Sequence, residues 1–379
     1  MKMKQNVIMI CIDGCRLDRA IKSKIFTDYL RGTVFCSQSI TYAPYTNSSL
    51  HAVFSGSNGN RNGCYSYWHS LKFRNQEFKT ITKYLHDENY YTHADLHSKL
   101  AIPLNDFEKI DIYDEKNTDL ILRHKNLIKL MKEKTTVGKN FFLYLHYEKI
   151  HTGIMNTVLK AYTNFSKEYF NDRIKNEKRY DMLFQDSEIY LKNILDEINQ
   201  QKLAEDTLII VFSDHGISVG EKVGERAYGA YCYDYTLRTF AYFMMQGITP
   251  IEISQQVRTI DFMPTILDYV EIPLDKKYES IDGESLMPLI KGEKIPEKIA
   301  YSETGNPLQD TRPPKEPNTK SVRTSRWKLI LNEYDDTREL YDLLNDPSEN
   351  KNLSGTGLGI EDELLKKLKI LKAGGDLAK

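Results

Sequence analysis

Short apolar runs that end in metal-competent side chains, alternating with helical periodicities, predict an α/β protein. Its mostly parallel central sheet is flanked by helices, and a small C-terminal α+β subdomain follows. Two runs carry the argument. Val7 to Ile12 leads directly into Asp13, and Leu208 to Phe212 leads into Ser213-Asp214-His215-Gly216. Runs of this kind without polar alternation read as parallel strands buried on both faces, and side chains at their carboxyl ends face the crevice where open α/β sheets bind ligands. One strand-end aspartate is often only a turn or helix cap. Two such strand ends, one with a histidine beside it, suggest a shared metal centre.

The remaining elements follow in chain order. Tyr42 to Gly56 holds a cluster of hydroxyls before a short apolar helix. Taken alone, Thr46 or Ser48 is expected to cap that helix, although its unpaired N–H groups would also attract an anion. Phe141 to Leu145 reads as a third buried strand. Residues 156–179 are charged and aromatic without clear period, so a lid or irregular insertion is expected there. Asp181 to Gln200 keeps helical spacing through Leu183, Phe184, Tyr190, Leu191, Ile194, Leu195 and Ile198. Asn306 to Lys320, with four prolines, reads as a loop or linker. Trp327 to Leu331 is a strand and Glu361 to Leu371 an amphipathic helix. The expected division is a catalytic domain over residues 1–305 and a subdomain over 306–379.

Composition narrows the function classes. A formal net charge of -1 with 28% charged residues gives no basic footprint for nucleic acid or an anionic membrane. No run approaches the roughly 20 apolar residues of a membrane span. The first strand begins a few residues from Met1, leaving no room ahead of it for a signal peptide, and the five cysteines have no disulfide or zinc spacing. These features set the expectation of a reduced, cytoplasmic protein. Oligomeric state is not encoded in any of them.

Several motifs together resemble the sulfatase family of the alkaline phosphatase superfamily, nearly end to end. Asp13-Gly14-Cys15-Arg16 looks like the family's opening. Ala43-Pro44-Tyr45-Thr46, with Gly56 ten positions on, looks like the nucleophile loop in its threonine form. His146 leading to His151 resembles a two-histidine segment that normally ends in proline, where this chain has Gly153. Val257 to Leu267, Asp282 to Gly292 and Glu339 to Leu353 resemble later family segments. The resemblance implies an alkaline-phosphatase-like fold. It also implies one divalent metal ion (manganese, calcium, magnesium or zinc) held by Asp13, Thr46, Asp214 and His215. Thr46 would be the nucleophile, since coordination lowers the pKa of an otherwise poor hydroxyl nucleophile. His151 would protonate the leaving group or contact the anion, with Asn47 and Lys222 as substrate contacts. Two-zinc relatives recruit a late histidine; this chain has none after His215, which favours a single metal. Asp18 and Asp261 are expected to be structural, and His51, His69, His86, His93, His97 and His124 match nothing in the pattern.

The departures set the expected chemistry. Formylglycine formation needs Cys or Ser followed by proline and arginine. Thr46, Ser48 and Leu50 occupy those three positions. The expectation is therefore a hydrolase or transferase acting on a phosphate, phosphodiester or phosphonate ester, with a small anionic or glycan-linked substrate. The alternatives are a sulfuric ester hydrolase without formylglycine and a non-catalytic relative that binds an anion or glycan.

Overall fold

A computed structural model describes residues 5–158, 172–222, 224–225, 227–308 and 314–374. The sheet is organised around β1 (Asn6–Ile12), whose seven residues are all buried. Val7, Met9 and Cys11 enter one apolar core, while Ile8, Ile10 and Ile12 enter the core on the opposite face. This two-sided burial explains why the run shows no polar alternation. β5 (Phe141–Tyr147) and β6 (Thr207–Phe212) flank β1 in parallel. Next to β5 lie β3 (Tyr91–Leu96) and β4 (Lys109–Ile112), also parallel. Beyond β6, β7 (Arg238–Met244) runs antiparallel to both its neighbours, β6 and β2 (Val34–Ile40). β8 (Ile251–Ile253) and β9 (Val257–Arg258) pair with β2 in parallel and complete nine strands.

Helices cover both faces. α1 (Thr46–Ser55) packs Leu50, Val53 and Phe54 into the first core and ends at Gly56, whose φ of 63° suits a glycine C-cap. α2 (Leu120–Thr136) packs into the second core, with the Asp119 side chain accepting from the Leu122 N–H as its cap. α3 (Lys149–Val158) and α4 (Arg173–Gln200) pack against each other on that face. α4 begins eight residues before the helix predicted at 181. Its first turns bury the polar Asn176, which donates to the Val219 carbonyl, and therefore carry little hydrophobic period. Within the expected insertion at 156–179, residues 159–171 lie outside the described residues, and residues on either side are helical.

A second, antiparallel sheet comprises β10 (Ala300–Thr304), β11 (Thr319–Arg323), β12 (Trp327–Asn332) and β13 (Thr337–Asp342). α5 (Gly359–Lys372) covers it through Leu364 and Leu368. Its first strand lies upstream of position 305, where the sequence suggested the division. Among the described residues no helix is long and apolar enough to cross a membrane. All five cysteines are buried and free.

Candidate active site

The carboxyl ends of β1, β5 and β6 converge on one buried cluster of polar side chains. Asp13 extends β1 by one residue, its N–H bonding the Tyr147 carbonyl at 2.9 Å. Asp214 and His215 follow β6 after one residue. Both aspartates and His215 are wholly buried. Asp214 Oδ1 accepts from the Gly14 N–H at 3.3 Å and the His215 N–H at 3.0 Å. Gly14, at φ 72°, makes the turn out of β1 in a region that favours glycine.

Thr46 opens α1, and its Oγ1 donates to Asp13 Oδ2 at 3.0 Å while lying 3.3 Å from His215 Nε2. His215 Nδ1 is 2.8 Å from the Gly216 carbonyl. A carbonyl only accepts, so Nδ1 carries a proton, while Nε2 faces Asp13, Asp214 and Thr46. Ser49, one turn along α1, donates to the Asp214 carbonyl at 2.8 Å and ties the helix to the strand end. Asn47 is half-buried and donates to Ser70 Oγ at 2.9 Å.

His151 enters from α3. One ligand atom each from Asp13, His151 and His215 lie within 4.8 Å of one another. Asp13 Oδ1, Asp214 Oδ2 and His151 Nδ1 are buried with no hydrogen bond to any described residue. Asp13 Oδ1 has only His215 Nε2 at 3.3 Å, and Asp214 Oδ2 has the same nitrogen at 3.7 Å. Two carboxylates so fully buried repel. Burial opposes the charge on Asp13, yet His151, His146 and His215 hold its carboxyl well below the usual range. Burial and the charge of Asp13 push Asp214 up to about 6. Burial opposes a charge on His215 too, but the charges of Asp214 and Asp13 lift it to about 9. Protons are thus recruited to neutralise the pocket. The orphaned oxygens and the inward Nε2 of His215, which a cation would bind in place of its proton, make a mixed oxygen and nitrogen donor set that fits a divalent cation.

Asp13, Thr46, Asp214, His215 and His151 are brought together, and Asn47 lies beside Thr46 in the chain. Lys222 is not brought to the group. Its ammonium hydrogen-bonds the Glu349 carbonyl and lies 4.8 Å from the Tyr233 ring centre, so it ties its loop to the C-terminal subdomain. Three residues went unassigned in the sequence. His146, at the end of β5, places Nε2 3.1 Å from Asp13 Oδ2. The His97 ring lies 4.8 Å from that of His146, and its proton affinity is pushed down to about 3 by burial and by His146. The Tyr228 ring lies 5.2 Å from His215 and 4.7 Å from His151. His146 shares the strand-end position of Asp13 and Asp214, which was a usable signal. His97 follows β3, whose mixed composition gave none.

The profile of the family described as Sulfatase matches residues 5–272, and that described as N-sulphoglucosamine sulphohydrolase, C-terminal, matches residues 232–373. The chain is 26% identical over 176 residues to a choline-sulfatase of Rhizobium meliloti (strain 1021), covering 45% of this chain and 31% of that protein. It thus spans about a third of that relative's length. The solved structure of a 2-O GAG sulfatase superposes with a TM-score of 0.74 at 16% identity, over 98% of this chain and 91% of the other. Phosphonate monoester hydrolase of Agrobacterium radiobacter superposes with a TM-score of 0.74 at 14% identity, over 98% and 96%. At these identities the structures establish a shared fold. The expectation of a phosphate, phosphodiester or phosphonate ester substrate is corrected by these findings, because both profiles and the choline-sulfatase carry sulfatase descriptions. The physical reason is plain: a threonine hydroxyl at this position does not distinguish a tetrahedral sulfuryl group from a phosphoryl group, so Thr46 alone could not decide between them.

Proposed function

The chain belongs to the sulfatase family, and from that premise we propose that it hydrolyses a sulfuric ester with Thr46 as the unmodified nucleophile. The observation that carries the reading is the Thr46 hydroxyl at the start of α1, hydrogen-bonded to Asp13 Oδ2 and 3.3 Å from the inward nitrogen of His215. Asp13, Asp214, His215 and Thr46 would hold the divalent cation, which supplies Lewis-acid polarisation of the sulfuryl oxygens and lowers the pKa of the hydroxyl. The unpaired N–H groups at the start of α1 favour the anion in the same place.

In this reading Thr46 Oγ1 attacks sulfur and its proton passes to Asp13 Oδ2. The bond from sulfur to the alcohol oxygen breaks, and that oxygen takes a proton from His151, whose proton affinity rises beside the bound anion. Water then attacks sulfur in the Thr46 sulfate ester, returns a proton to His151 and releases sulfate. Asp13 gives its proton back to Thr46. Threonine has no second hydroxyl with which to expel sulfate by elimination, so the second step must also occur at sulfur. The sulphohydrolase profile over 232–373 and the 2-O GAG sulfatase neighbour support a sulfated sugar as the substrate class.

The test is sulfate release, read by ion chromatography, from p-nitrophenyl sulfate and from sulfated glucosamines with added manganese or calcium. Sulfate release by the wild type that falls by at least ~10³-fold in Thr46→Ala is expected. Undiminished release in that variant, or release of phosphate alone from the matched phosphate ester, would overturn the reading.

A further inference from the structure

Asp13 is gripped from two sides, and only one grip belongs to the reaction described above. Thr46 Oγ1 donates to Oδ2 from the α1 side at 3.0 Å, and His146 Nε2 meets the same oxygen from β5 at 3.1 Å. His146 lies directly across from Cys11 in the pairing of β1 with β5, one strand over from the aspartate it touches. Its other ring nitrogen, Nδ1, is 2.9 Å from the hydroxyl of Tyr144. Residues 144 and 146 share a face of the strand, so the contact is built by strand geometry. Tyr144, His146 and Asp13 are all fully buried.

Nε2 of His146 is bonded to Asp13 Oδ2 and Nδ1 to the Tyr144 hydroxyl, so both ring nitrogens are engaged and the ring cannot turn without losing a contact. The ring is further confined by His97, centred 4.8 Å away, while the Tyr113 hydroxyl donates to the His146 carbonyl at 2.7 Å. Yet His146 stands outside the compact donor group of Asp13, His151 and His215. It therefore acts through Asp13. Holding Oδ2 on the β5 side leaves Oδ1, which has no hydrogen bond to any described residue, turned toward His215.

We propose that His146, oriented by Tyr144, is the positioning residue of Asp13 and through it sets the affinity of the pocket for a divalent cation. The inference rests on the reading of Asp13 as a cation ligand. Outer partners of metal-binding groups typically change metal affinity by about 10–100-fold.

The experiment is calorimetric titration of the cation-free protein with Mn²⁺, together with its thermal unfolding. The variants are His146→Ala, His146→Gln, Tyr144→Phe and Asp214→Ala. Glutamine keeps an N–H at about the reach of Nε2. His146→Ala should weaken Mn²⁺ binding by ~10-fold or more, and His146→Gln should recover most of that. Tyr144→Phe should lose about threefold. His146→Ala and His146→Gln should unfold at similar temperatures without cation, which a packing role alone would not produce. Wild-type affinity in His146→Ala, or equal weakening in the glutamine variant, would overturn the inference while leaving the cation reading intact. No Mn²⁺ binding by the wild type, or full binding by Asp214→Ala, would overturn the cation reading and this inference with it. Should the alanine variant fail to fold, unchanged affinity in Tyr144→Phe overturns the proposal by itself.

Discussion

The role proposed for Thr46 rests on surroundings that a helix cap would not need. The Thr46 hydroxyl does not turn back to an N–H of its own helix; it donates to Asp13 across 33 residues of sequence. Thr46→Ser keeps that donor and loses only a methyl group, so sulfate release should stay within about tenfold of wild type, whereas Thr46→Ala should lose it. A serine variant as inactive as the alanine one, by ion chromatography, would mean the hydroxyl is not the nucleophile. Asp214 gives a second prediction at this scale. Its carboxyl is pushed up to about 6 by burial and by Asp13, so in cation-free protein at pH 8 an ionised Asp214 opposes folding. Asp214→Asn keeps an oxygen for the Gly14 and His215 N–H groups and removes the charge. Denaturant unfolding of cation-free protein at pH 8 should show Asp214→Asn to be more stable than wild type by on the order of 1–3 kcal/mol. Addition of Mn²⁺ should stabilise wild type only. Equal or lower stability of the cation-free variant would contradict the repulsion. Asp13, Asp214 and His215 could be singled out from the sequence because they sit at strand ends, where the chain's pattern changes abruptly, whereas Thr46, at a helix start, reads alone as a cap and was named only through the family resemblance. His146 shared the strand-end signal but was given no role, whereas His97 and Tyr228 carried no such signal and are placed beside His146 and His215 only by the fold. Lys222 misled for the converse reason: its neighbours in sequence are near the site, but its partner is residue 349.

The elements that deliver the site depend on close backbone approach. At Gly216 a Cβ would stand 2.1 Å from the Tyr235 carbonyl oxygen, and that contact is with backbone, which cannot rotate away. The Gly216 N–H also bonds the Thr236 carbonyl at 2.8 Å, so the strand end and the start of β7 are locked together here. Gly216→Ala should displace the turn bearing Asp214 and His215, costing about 2 kcal/mol or more of stability and weakening Mn²⁺ binding. Gly153→Ala is the useful contrast, because its clash at 2.4 Å is with the end of the flexible Leu183 side chain. Calorimetric Mn²⁺ titration of both variants decides the point: an unaffected Gly216→Ala would show the approach to be irrelevant to the site. Glycine at 153, where the family pattern has proline, is explained by this packing of α3 on α4. Strands β1, β5 and β6 were legible because burial on both faces leaves an unbroken apolar run. β4 was not, since its four residues, Lys-Ile-Asp-Ile, are all at least partly exposed. The start of α4 was hidden by the buried Asn176, because a polar residue in a core position erases the periodicity that identifies a helix.

At the scale of the whole molecule, the two sheets are joined by a buried charged cluster that no sequence motif announced. Asp234, just before β7, accepts from Arg323 Nη2 at 2.8 Å and Lys328 Nζ at 2.9 Å, both from the small sheet. Lys328 also pairs with Glu349 at 2.7 Å, and Glu349 accepts from the Asp234 N–H at 2.7 Å. Lys222 reaches the same Glu349 through its carbonyl, so the loop that follows the turn bearing Asp214 and His215 is anchored to the C-terminal subdomain. Removing one charge from such a cluster leaves its partners buried and uncompensated. Asp234→Asn should therefore cost about 3–5 kcal/mol near neutral pH. The sign of the pH dependence follows from the direction of the shift. Burial opposes the Asp234 charge, but Arg323 and Lys328 outweigh it and hold the carboxyl below its ordinary value of 3.8. Below that value the unfolded chain binds a proton that the folded chain does not, so stability rises with pH through this window. The contribution is fully present above it and is lost as pH falls toward the folded value. Denaturant unfolding of wild type and Asp234→Asn at several pH values should therefore show a large difference at pH 6 that narrows steadily below about pH 4. A difference that stays constant down to pH 2.5 would mean that Asp234 joins the sheets by shape and hydrogen bonding, with its charge contributing nothing.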